Sequence, residues 1–134
     1  MSVRRIITSG RMLTLSAIYL ATIGLVSFAF PNEAATGLGH ELTAFDVFAA
    51  RTIGLALLTI AIVDWTAGRA AEPVRGIVLA NIFLNTTLAA LDTVSILDGT
   101  IGRGSWTGIA IHLILLTGLL TSLERRRHPH PVAT

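Results

Sequence analysis

Four long apolar runs divide the chain, and short stretches rich in polar residues, Gly or Pro separate them. The first covers residues 12–30 without a charge and closes on Pro31. The second, residues 47–67, is interrupted by Arg51 and Asp64. The third, residues 76–97, holds Asn81, Asn85 and Asp92, and the fourth, residues 106–123, holds His112. About 20 residues at 1.5 Å rise cross a hydrocarbon layer of roughly 30 Å, so each run has the length of a transmembrane helix. A membrane barrel needs alternating segments of about ten residues, which these runs are not. The pattern predicts an all-α integral membrane protein, an up-down four-helix bundle in which residues 12–123 form one domain. Residues 1–11 and 124–134 are its basic ends.

The connections fit that architecture. Residues 31–46 form the longest loop, with room for a short interfacial helix. A turn containing Pro73 joins spans two and three, and Asp98-Gly99 opens the turn to span four. Short links force antiparallel neighbours. The basic start followed by an apolar stretch also has the outline of a cleaved signal peptide. However, span one is longer than a typical h-region of about 7–15 residues, and 31–34 offers no A-x-A site, so it is expected to be a retained span.

Charge placement sets the orientation. With both termini in the cytoplasm, Arg4, Arg5, Arg11, Arg69, Arg75, Arg125, Arg126 and Arg127 lie inside and only Arg103 outside, while Arg51 lies within the membrane. The expected location is the bacterial cytoplasmic membrane. Composition agrees: 52% of residues are hydrophobic and 13% charged, against about 25% charged in soluble domains. A net charge of +2 is too balanced for a nucleic-acid binder. The absence of Cys removes disulfides, thiolate metal sites and Cys nucleophiles together.

Polar groups inside a span are costly and usually face the bundle or a cavity, so they carry the candidate chemistry. At 100° per residue, Asn81, Asn85, Leu88, Asp92 and Ser95 fall within about 80° of one another, a stripe that should face inward. Arg51, Asp92 and His112 sit at comparable depths near the outer surface. Two readings of Arg51 stay open: an ion pair with Asp92 beside His112, or snorkelling to the headgroups. Asp64 lies on the opposite face, near the inner surface, and is expected to partner Arg69 or Arg75 rather than to act as a relay. His112 is expected to be a hydrogen-bonded core imidazole or a contact for a quinone-like headgroup. A six-coordinate haem b takes two axial ligands, and His40, His128 and His130 are poorly placed to supply the second, so quinone or haem enters only with a partner. No metal site is expected, and His128-Pro129-His130 reads as a solvated tail. Gly104-x-x-x-Gly108 and Ala17-x-x-x-Ala21 with Gly24 permit close helix approach. Trp65 and Trp106 read as interfacial anchors, and Tyr19 requires a polar partner. No GxSxG, HExxH, P-loop or dinucleotide fingerprint is present, and no catalytic residue is assigned.

A first span closing on Pro31, the stretch FPNEAATGLG, and AARTIGLALLTIA opening the second span resemble the small DoxX-like four-helix families. The resemblance covers residues 28–62 through Pro31, Ala34, Gly37, Gly39, Arg51 and Gly54. It implies an association with membrane redox complexes and quinone chemistry. Small multidrug transporters share the length and span count, but their coupling carboxylate is a Glu in the first span, where this chain has no acid. The leading expectation is a non-catalytic bundle, an accessory or scaffold subunit or a lipophile binder, whose cluster of Arg51, Asp92, His112, Asn81 and Asn85 supplies structure or a headgroup site. The alternatives are a subunit of a quinone-linked redox complex and a small proton-coupled transporter. Its expected partners are the bilayer and a membrane protein or second copy.

Overall fold

A computed structural model describes residues 8–34, 42–71, 73–99 and 106–127 of the chain. Arg4, Arg5, Gly37, Gly39, His40, Arg103, Gly104, His128 and His130 lie outside the described residues. The helices are α1 (Ser9–Ala29), α2 (Pro31–Ala34), α3 (Ala44–Arg69), α4 (Arg75–Leu97) and α5 (Trp106–Arg127). Four of them, all but α2, are long and apolar enough to cross a membrane.

Local chemistry sets the ends. Thr8 caps α1 by accepting from the Arg11 amide at 3.3 Å, and Pro31 stops that helix one residue after Ala29 and its C-cap Phe30. α3 starts ahead of its apolar run because Thr43 and Asp46 form a capping box, each side chain bonding the other's backbone N–H. α4 ends at Asp98, where Gly99 takes a φ of +80°, a conformation open to Gly without strain.

The long helices run alternately up and down, and α1 is the hub. Its closest neighbour is α3. A Cβ placed on Gly10 would meet the Gly68 carbonyl oxygen at 2.7 Å, and one on Gly24 the Gly54 carbonyl oxygen at 2.8 Å. The two backbones therefore touch at both ends of their overlap, at positions where any side chain would force a shift. α4 packs on α5, and α1 reaches α5 through the Ser9–Ser122 hydroxyl pair at 2.8 Å. By contrast, α3 and α4 stay apart along most of their length.

The apolar core gathers at the Ser9 end of the bundle, where Met12, Leu13, Ala67, Val78, Leu115 and Leu119 are buried together. Otherwise the usual arrangement of polarity is reversed. Ser16, Asp64, Asn81, Asn85 and His112 are buried, while Phe45, Phe83, Ile62, Ile114 and Leu97 are exposed. Threonine hydroxyls on the outer faces bond the carbonyl four residues back, as at Thr22, Thr52, Thr86 and Thr117. This satisfies them without water. An apolar exterior around a hydrogen-bonded interior suits a hydrocarbon surrounding.

Candidate functional site

The buried polar groups form one connected chain. Asn81 is its centre: its Nδ2 donates to Asp64 Oδ1 at 2.6 Å, and its Oδ1 accepts from the Ser16 hydroxyl at 2.9 Å. Three helices thus meet on one amide. One turn along α4, Asn85 Nδ2 donates to the Asn81 backbone carbonyl at 2.9 Å. A carbonyl oxygen can only accept, so Asn85 leaves its Oδ1 facing His112 Nδ1 at 2.9 Å. The imidazole must therefore carry a proton on Nδ1. In the neutral ring Nε2 is then an acceptor, with the Tyr19 hydroxyl 3.5 Å away as its donor. The Tyr19 and His112 rings meet edge to face, with centroids 5.4 Å apart. Asp92 Oδ2 lies 4.0 Å from the same nitrogen, and Gly108 leaves the space beside it open: a Cβ there would come within 3.3 Å of Asp92 Oδ2.

The structure thus brings Asn81, Asn85, His112 and Asp92 together on α4 and α5. Arg51 does not join them. Its side chain is exposed, and among the described residues it forms no ion pair with Asp92. Of the readings left open for Arg51, the ion pair is not formed: α3 lies against α1, with Gly54, three residues past Arg51, pressed on Gly24. That packing directs α3 away from the far end of α4. The expected pairing of Asp64 is corrected as well. Arg69 stacks its guanidinium 5.2 Å above the Trp65 ring, and Asp64 takes its hydrogen bond from an amide instead.

Asp64 is the member that the sequence reading undervalued. It is fully buried, and its Oδ2 has no hydrogen-bond partner. The Ser16 hydroxyl stands within hydrogen-bonding reach of the same carboxyl and in this arrangement gives its one proton to Asn81. The signal lay in its spacing: Asp64 and Asn81 stand about equally far from the short turn at Pro73, which places them side by side on antiparallel helices.

Next to this pair, the gap between α3 and α4 opens into a cleft of about 350 Å³. Its walls are Thr59, Ile60 and Val63 from α3 and Ile77, Ala80, Phe83 and Leu84 from α4, with Asp64 and Asn81 between them. The cleft is lined almost wholly by hydrocarbon and has polar groups at one place, the general form of a small-molecule site. Among the described residues no group of His, Asp and Glu is placed to hold a metal ion. Comparison of the chain with protein-family models, with curated proteins and with solved structures found no match.

Proposed function

We propose that the chain is a multi-pass protein of the bacterial cytoplasmic membrane, with both termini in the cytoplasm. In this reading it binds a lipophilic molecule without transforming it, alone, as a homo-oligomer or as an accessory subunit. The observation that carries the reading is the α3/α4 cleft. Its apolar walls suit a hydrocarbon ligand, and among the described residues lining it Asp64 is the one titratable side chain, which suits holding rather than chemistry. The DoxX-like resemblance belongs with this proposal.

A second reading has its own observation. Asp92 Oδ2 lies 4.0 Å from His112 Nε2, whose one lone pair in the neutral ring faces the Tyr19 hydroxyl, so a group entering here must donate to Asp92. The hydroxyls of a quinol would do so, which favours a subunit of a quinone-linked redox complex.

Native mass spectrometry on protein released from its own membrane tests both. The expected result is a retained lipophile other than bulk phospholipid, lost when the cleft is filled by Ala80→Trp. Ala80 is exposed, so this change leaves the core intact. Retention of phospholipid alone would overturn the binding reading. A quinone kept in Ala80→Trp but lost in His112→Ala would put the second reading in its place.

A further inference from the structure

The cleft has a chemical preference built into its wall. Asp64 is closed off from solvent and has been given one strong donor, Asn81 Nδ2 at 2.6 Å, while Oδ2 has none. Buried polar groups are nearly always satisfied, so an orphaned carboxyl oxygen in an otherwise fully bonded network calls for an explanation. No cation of the protein supplies it: among the described residues Asp64 forms no ion pair, and Arg69 is engaged with Trp65. The same residue lines the cleft, and its carboxyl group turns on a soft χ2 torsion.

We infer that the α3/α4 cleft binds a lipophilic amine, its ammonium donating to Asp64 Oδ2 and its hydrocarbon part lying along Ile60, Val63, Ile77 and Leu84. The inference rests on the cleft being a binding site, as proposed above. A neutral hydroxyl would fill the vacant hydrogen bond, but an ammonium also brings a positive charge against the carboxyl, and charge-assisted bonds are about twice as strong as neutral ones. The Phe83 ring on the cleft wall adds a surface on which a cation is favoured. A cleft of about 350 Å³ lies at the small end of ligand sites, which run from about 300 to 1,000 Å³. It therefore suits one short chain or ring system rather than a two-tailed lipid.

The test uses the full chain in nanodiscs of zwitterionic lipid, titrated with a dansylated alkyl primary amine and with the matching dansylated alkyl alcohol. The amine is expected to bind saturably and at least tenfold more tightly than the alcohol. Asp64→Asn is expected to remove that preference, and Ala80→Trp to abolish binding of both probes. A measurement on the unaltered protein guards against misfolding of Asp64→Asn. Dicyclohexylcarbodiimide, an apolar carboxyl reagent, should modify Asp64, and a tertiary alkylamine, which cannot be acylated by the activated carboxyl, should protect Asp64 but not Asp92. Equal affinities for the two probes, both lost in Ala80→Trp, would overturn the amine inference and leave the lipophile site standing. Saturable binding of neither probe would overturn both.

Discussion

Asn81 illustrates how much one amide can hold. It satisfies Asp64, accepts from Ser16 and, through its carbonyl, fixes Asn85 and hence the tautomer of His112. Asn81→Ala removes the amide from a buried carboxyl and a buried hydroxyl, which can recover only part of the loss by bonding each other, at a cost of about 2–3 kcal/mol. Asn85→Ala strands the imidazole Nδ1–H alone and should cost about 1–2 kcal/mol. Arg51→Leu, at an exposed position, should stay within about 0.5 kcal/mol. Thermal unfolding in detergent is expected to rank the three in that order; a large loss for Arg51→Leu would restore the ion pair that the geometry rejects. At this scale the sequence was partly legible. The periodicity of α4 was enough to group Asn81, Asn85 and Asp92. It could not supply the partner of Asp92, because depth along a helix says nothing about which neighbour the helix turns towards.

The elements themselves were easy to read and their contacts were not. Apolar runs of transmembrane length found all four long helices. The ends moved where polar caps extend a helix past its apolar part, as Thr43 and Asp46 do for α3. The tightest interface was written in Gly10, Gly24, Gly54 and Gly68, each pair two heptads apart. Four-residue small-residue motifs do not capture that spacing, although a seam repeating every seven residues follows directly from coiled packing. Adding a methyl group there is therefore expected to be costly. Gly24→Ala and Gly54→Ala each place a Cβ within 2.8 Å of a facing backbone oxygen and should cost about 1–3 kcal/mol. Gly76, with nothing within 4 Å of its Cβ position, should accept Ala with no loss or a slight gain. Thermal midpoints of the three variants check this; equal tolerance at all three sites would refute the backbone contact.

For the molecule as a whole, the proposed orientation rests on the placement of the arginines and not on the fold. The chain contains no Cys, so single Cys substitutions can be labelled without background. On the proposed topology, Thr107→Cys in intact cells should react with a membrane-impermeant maleimide, and Ala71→Cys should react only after lysis. The reverse pattern would invert the protein. The bundle is also two consecutive hairpins: α1 closes on α3 through glycine, α4 closes on α5, and the two are joined by Asn81 and by the contacts of α1 with α5 at Ser9–Ser122 and Tyr19–His112. That division has a consequence for biogenesis. On the membrane reading, ribosomal synthesis completes the first hairpin at Arg69, before the Asn81 amide that bonds Asp64 exists. Until then Ser16, on the same hairpin, is the one donor beside that acid, so the arrival of α4 exchanges a hydroxyl partner for an amide.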